Sequence, residues 1–400
     1  MSFHPTSPLR SLQVLAKLLC FGLLLTGCGG GGTSNTALLK TSYISGPIRG
    51  FGSVIINGVR LDVSAASVAN DDEQAQTESD LMLGMMADAE AGEIAVDGSG
   101  PHGAAKSIHF RSAIVGPVST VDTATKTLVV LGQTVDATAT TVFDASLTMG
   151  MSSIASGDVV AVYAMFDSAT GHYLATRIEP KVNAAYFKLR GAVSSLDTMG
   201  RTFKIGSETI SYVSLAANQV PADLANGVLV VVKLQTVQAS GAWVATTLRD
   251  GVRPLHNQDE AELEGVITSF TSTTSFSVDG VAVDATNATF PDGTAGVVLG
   301  ARVEVEGSAS TGTLVATKVT IETENSDMLS GFDLHGPITM LDAAAKTFVL
   351  RGVTVNYGGP AVAYKNGMES DLAVARKVEV KGVLSTDGTK LDATAISFEV

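Results

Sequence analysis

A glycine that opens an apolar strand recurs at Gly46, Gly116, Gly191, Gly265 and Gly336, at spacings of 70, 75, 74 and 71 residues. No other feature constrains the fold as tightly, because near-equal periods of this length mark an array of similar structural units. A second motif follows each opening, with apolar residues alternating across a turn. Its clearest forms are Val54-Ile55-Ile56-Asn57-Gly58-Val59-Arg60-Leu61, Phe276-Ser277-Val278-Asp279-Gly280-Val281-Ala282-Val283 and Phe348-Val349-Leu350-Arg351-Gly352-Val353-Thr354-Val355. Asn-Gly or Asp-Gly between alternating apolar residues is a strong hairpin signal, because both turn residues accept φ > 0. A polar stretch comes next, as in Ser79-Asp80-Leu81 and Ser370-Asp371-Leu372, where Ser or Pro ahead of Asp-Leu suggests one capped helical turn. A last strand closes the unit, as in Ala316-Thr317-Lys318-Val319 and Ala393-Thr394-Ala395-Ile396.

Each unit therefore reads as two strands joined by a tight turn, a third short strand, a helical turn and two more strands. Five antiparallel strands with that helical turn resemble a small, partly open barrel of the oligonucleotide/oligosaccharide-binding (OB) type. The expected fold class is all-β: five tandem OB-like barrels at 43–111, 112–183, 184–254, 255–326 and 327–400, after a tether at 28–42. A unit of about 70 residues buries only about 60% of its unfolded surface, so docking between neighbours should contribute to stability. Barrels laid in line would form a rod of roughly 140 Å.

The N-terminus has a different character. Arg10 and Lys17 give a positive start and Leu18 to Leu25 an apolar run, too short for the about 20 residues of a membrane span. Leu25-Thr26-Gly27-Cys28 resembles the lipobox of bacterial lipoproteins, in which the signal is cut before the cysteine and its sulfur carries a diacylglyceryl group. Residues 1–27 are thus expected to be a signal peptide and Cys28 the lipidation site. An ordinary cleaved signal or an uncleaved anchor would not need a cysteine directly after Thr26-Gly27 followed by four glycines. Stable anchoring takes more than one acyl chain, and a lipoprotein of this type carries two or three on one residue. Gly29 stands where lipoproteins kept at the inner membrane often have Asp, so the expected address is the outer membrane. Gly29 to Thr36 reads as a flexible tether.

Composition narrows the partners. Without residues 1–27 the chain has 24 Lys and Arg against 40 Asp and Glu, a net charge of −16. Phosphate backbones repel such a surface, and nucleic acid is not an expected partner. Cys20 leaves with the signal and Cys28 takes the lipid, so no disulfide can form in the folded part even in an oxidising envelope.

The segment Gly46-Pro47-Ile48-Arg49-Gly50-Phe51-Gly52-Ser53-Val54-Ile55-Ile56-Asn57-Gly58-Val59-Arg60 resembles the domain-of-unknown-function 5666 family, whose members occur as tandem repeats in bacterial envelope lipoproteins. The resemblance is closest in the first unit and extends over essentially everything after the tether. It implies an architecture and a compartment, but no catalytic or binding residues. The first unit departs from its siblings in an acidic, Met-rich stretch from Asp71 to Gly100.

A search for chemistry yields no catalytic or metal-binding candidate. Nucleophilic catalysis needs a serine or cysteine beside a base, and the sequence has no G-x-S-x-G elbow. His102, His109, His172, His256 and His335 show no metal-ligand spacing and read as scattered surface histidines. Asp71-Asp72-Glu73 and the group Asp259, Glu260, Glu262 and Glu264 lack the alternating pattern of an ion-binding loop. They read as a solvated acidic loop and an exposed inter-unit linker. No G-x-x-x-x-G-K-[ST] motif appears, so the glycines serve turns and bulges. Trp243, Tyr163, Tyr173 and Tyr212 could form a sugar-stacking platform, but buried packing is the favoured role. The expected function is a non-catalytic envelope lipoprotein acting as spacer, scaffold or adhesion module, with no cofactor. The membrane would be its partner through the lipid on Cys28. The alternative is a binding module for envelope polysaccharide or an envelope protein.

Overall fold

A computed structural model describes residues 40–98, 100–167, 170–252, 255–321, 331–359 and 361–399. The expected signal peptide, Cys28 and the tether as far as residue 39 lie outside them. Within the described residues one cycle of strand pairing recurs. In the first barrel the strands Thr41–Phe51, Val54–Ile56 and Val59–Asp62 pair antiparallel in order. Val59–Asp62 runs parallel to Gly100–Arg111, which pairs antiparallel with Met86–Ala91. Met86–Ala91 then returns to Thr41–Phe51 and closes the barrel. The second barrel closes in the same way from Ile114–Asp122 to His172–Pro180. In the third, the opening strand breaks at Val193 into Phe187–Ala192 and Ser194–Asp197, and the cycle ends at Trp243–Asp250. The fourth runs from Gln258–Ser272 to Thr313–Ile321 and the fifth from Phe332–Asp342 to Leu391–Phe398. Closure removes the sheet edges that short, valine-rich strands would otherwise leave open to aggregation. One pairing in each cycle is parallel, a departure from the all-antiparallel expectation.

The period glycine has a physical role. In the first four barrels a Cβ on Gly46, Gly116, Gly191 or Gly265 would lie under 3.0 Å from the side chain of Asn57, Leu131, Ile205 or Asp279 respectively. Each of these is the residue before a turn glycine, so its side chain folds back across the opening strand. Asn57-Gly58, Leu131-Gly132, Asp279-Gly280 and Arg351-Gly352 all have positive φ at both positions, the geometry of a tight hairpin turn. Leu131 holds φ 47° with its side chain almost wholly buried, so packing over Gly116 compensates for a conformation leucine disfavours. The repeat thus couples a turn to the space that receives it.

Single helical turns stand at Glu78–Asp80, Gly150–Ser153, Ala217–Gln219 and Glu369–Asp371, while the fourth barrel has only turns there. The caps differ from the expected Ser or Pro. Asp80, Gln219 and Asp371 reach back to accept the backbone N–H of Thr77, Ala216 and Met368. A side chain inside the turn, rather than the residue preceding it, satisfies the free donor.

The array does not extend as a rod; it folds back. Thr41–Ile44 lies parallel to Ala261–Glu264 of the fourth barrel, and Gly50-Phe51 lies parallel to Asp333-Leu334 of the fifth. The second and third barrels join through Ile114-Val115 against Lys188-Leu189. Phe143 N–H donates to the Gly388 carbonyl at 3.1 Å, tying the second barrel to the fifth. The apolar interior follows these junctions. One buried cluster runs through the first and fifth barrels and takes in Val115, Val142, Ala161 and Tyr163 of the second. Another merges the second and third barrels, while the fourth keeps a core of its own.

Candidate functional site

The densest polar chemistry sits where the first barrel meets the third and fourth. Part of it comes from the acidic stretch that sets the first unit apart. Asn70 Oδ1 accepts the backbone N–H of Asp72 at 2.9 Å and of Gln74 at 3.1 Å, and Glu73 takes a left-handed φ of 58°. That tight turn carries Asp71 and Asp72 onto the third barrel. Lys188 Nζ lies 2.5 Å from Asp71 Oδ2, and Lys233 Nζ 2.6 Å from Asp72 Oδ1. Tyr186 donates its hydroxyl to Asp72 at 2.7 Å, and Arg249 donates to the Asp71 carbonyl. Lys188 and Lys233 are directly opposed across neighbouring strands, a repulsive arrangement that the two carboxylates relieve. Burial pulls the Lys188 ammonium below its ordinary value, with Asp71 acting against that shift. The reading of Asp71-Asp72-Glu73 as a solvated loop is therefore corrected: the turn is a clasp between barrels.

Beside the clasp lies a group of half-buried charges. Arg111 holds Asp88 through two hydrogen bonds, Nε to Oδ2 at 2.7 Å and Nη2 to Oδ1 at 3.0 Å, and Ser45 donates to the same carboxylate at 2.7 Å. Burial works against ionisation here, but Arg111 outweighs it and holds the Asp88 carboxyl at about 2. Arg190 of the third barrel donates to the Gly251 carbonyl at 2.9 Å. Desolvation and the neighbouring Arg111 bring its guanidinium down to about 9. Asp279, the turn residue of the fourth barrel, completes the group; burial lifts its carboxyl to about 6. A cavity of about 380 Å³ opens here, lined in part by Asp71, His109, Arg190, Arg249 and His256.

The other sequence candidates separate. Glu262 and Glu264 are buried within the strand Gln258–Ser272, where they pair with Lys40 at 2.5 Å and Arg302 at 2.6 Å. Asp259 and Glu260 are exposed as expected, but the exposed-linker reading is corrected for Glu262, which reaches Lys40 beside Thr41, and for Glu264, which pairs within its own barrel. His109 is buried, against the surface reading, and lies 3.6 Å from Glu73. His172 pairs with Asp136 at 2.8 Å in the second barrel. Trp243, Tyr163, Tyr173 and Tyr212 are all buried. Trp243 packs edge-on against Phe187 and donates to Glu208 at 2.6 Å, so the four form no exposed platform. Among the described residues no three His, Cys, Asp or Glu side chains gather as a metal site. Cys28 lies outside them.

Sequence reading missed Asp279, Arg190 and Lys188. Asp279 looked like an ordinary Asp-Gly turn residue, and the two cations lie in strands whose partners are distant in sequence. The one signal available was lysine and arginine at the third barrel's Phe187-Lys188-Leu189-Arg190, alternating with residues of the apolar core.

This is an all-β protein built of small closed barrels. Residues 115–179, 264–320 and 335–397 match the family model described as "Domain of unknown function (DUF5666)", three matches consistent with a tandem DUF5666 protein. Those stretches fall in the second, fourth and fifth barrels; neither the first nor the third is among them, which corrects the expectation that the resemblance is closest in the first unit. A solved structure described as drosophila Unr CSD456 is similar over 55% of this chain and 99% of that one, at 12% identity and a TM-score of 0.15. No curated protein matches the sequence.

Proposed function

We propose that this protein is a non-catalytic scaffold of the bacterial cell envelope, lipid-anchored through Cys28 and directed to the outer membrane. We further propose that each closed cycle is one OB-type repeat, with the boundaries 43–111, 112–183, 184–254, 255–326 and 327–400. The observation that carries the scaffold reading is where the polar side chains are used. The half-buried carboxylates of the clasp and the cations Lys188 and Lys233 are engaged with one another across a barrel junction, which suits assembly rather than turnover. A spacer role is set aside, because the folded-back junctions do not suit a chain that must hold two points far apart. The anchor is tested by expressing the chain with its own N-terminus in a Gram-negative host and partitioning the envelope with detergent. Wild type is expected in the detergent phase carrying a labelled fatty acid, and Cys28→Ser in the aqueous phase without label. Unlabelled wild type in the aqueous phase would overturn the anchor. Capture from envelopes should compare wild type with the clasp variant Lys188→Met. Deletion of the first barrel is a poor control, because that barrel touches all four others.

A further inference from the structure

Between the first and fifth barrels, away from the clasp, lies a cleft of about 530 Å³. Among the described residues its charges are unbalanced: Arg49, Arg60 and Lys381 line it with Asp333 as the one carboxylate. Arg60 lies 2.7 Å from Asp333 Oδ2, and Lys381 Nζ lies 3.8 Å from the same oxygen. That carboxylate is therefore already shared. The Arg49 guanidinium stands 5.3 Å over the Phe332 ring, and its buried Nη1 has no hydrogen-bond partner among the described residues. Burial and the nearby Arg302 depress it to about 10, the behaviour of a cation without a counter-charge. A buried charge left unpaired is costly, whereas an oxoanion would satisfy it through the planar fork that arginine presents. Lys381 also lies 3.7 Å from Glu379 at the rim, so Arg49 is the cation of the described lining left without a carboxylate, a local inversion in a chain of net charge −14.

The remaining lining indicates what would carry the anion. Gly58, Gly100, Gly331 and Gly382 line the cleft without side chains, which leaves room for a ring beside the cations. Phe332 and Val383 add apolar surface, and the volume falls within the about 300–1,000 Å³ range of small-molecule sites. We propose that this cleft binds an anionic sugar, one bearing a carboxylate or a phosphate, with Arg49 meeting the charge and Lys381 closing over it. The assignment stands apart from the scaffold reading and does not depend on the lipid anchor.

Calorimetric titration of the full chain in detergent, with glucuronate, glucose 6-phosphate, glucose and inorganic phosphate as probes, tests the site. Saturable binding of glucuronate, glucose 6-phosphate or both is expected, and the stronger of the two identifies which anion the cleft prefers. Glucose should give no saturable heat. Arg49→Met should weaken the anionic sugars on the order of tenfold or more. It should leave the melting temperature of the free protein unchanged or raised, since an apolar side chain of similar volume replaces an unpaired charge. A purely structural arginine would instead lower it. Lys381→Ala, on an exposed side chain, should weaken binding several-fold and guards against a misfolded Arg49 variant. The proposal is overturned by silence from both anionic sugars, by glucose binding as tightly, or by inorganic phosphate matching the sugar phosphate. Unchanged affinity in either variant overturns it too.

Discussion

The first and fourth barrels share one pairing cycle and one glycine-to-turn contact, yet they are built into the molecule in opposite ways. The first gives up its independence: its core runs into the fifth barrel, and it contacts every other barrel. The fourth keeps a separate core around Leu263, Val305 and Leu314 and attaches by a short parallel strand pairing, the Lys40–Glu262 ion pair and the donation from Arg302 to the Asn57 carbonyl. A closed barrel therefore needs only the shared pattern. Its place in the array is set by residues that break that pattern, chiefly the Asp71–Asp72 turn and the charges it meets.

The largest test of that contrast acts on the clasp. Lys188→Met leaves the half-buried Asp71 without its cation and should cost about 3 kcal/mol, the low end for breaking a buried pair because Asp71 keeps some contact with solvent. Urea denaturation would show it as a lowered midpoint, and a loss below about 1 kcal/mol would mean the clasp is ornamental. A sharper comparison comes from the two cores. Leu61→Ala and Leu314→Ala each remove a fully buried side chain and should each cost about 2–5 kcal/mol. Hydrogen exchange should distinguish them: the first variant loosens the first and fifth barrels together, the second loosens the fourth alone. Equal spreading from both sites would erase the distinction between hub and satellite.

The smallest expected effect is a pH dependence at Asp279. Its folded carboxyl titrates at about 6 against an ordinary 3.8, so the folded chain keeps a proton in this interval that the unfolded chain has released. Stability from this group therefore falls as pH rises from 3.8 to about 6. Asp88 acts in the opposite sense: its contribution is complete above 3.8 and is lost as pH drops toward about 2. Asp279→Asn should flatten the decline between those limits and leave the variant the more stable protein at pH 7. A less stable variant at pH 7 would show that ionised Asp279 is held favourably by Arg111 and Arg190.

How much of this was readable from the chain depends on distance in sequence. Asn57-Gly58, Asp279-Gly280 and Arg351-Gly352 announce their hairpins because turn chemistry is local. The period glycines announce the barrels because each sits 11 to 15 residues from the turn it receives. The junctions are different. Lys188 meets Asp71 across 117 residues and Arg60 meets Asp333 across 273, and no local propensity records either pairing. The acidic runs at Asp71 and at Glu262 were visible but read as solvated, since a charged run carries no mark of the cations that will bury it. Trp243 and the three tyrosines are buried, as expected of aromatics spread over different strands and loops rather than gathered on one face.

The folding-back of the barrels around the first is most directly tested by small-angle X-ray scattering on the compact unit Leu38–Val400. A radius of gyration of about 20–25 Å is expected for a chain of that length packed as one body. A value near about 40 Å, that of a uniform rod of roughly 140 Å, would contradict it.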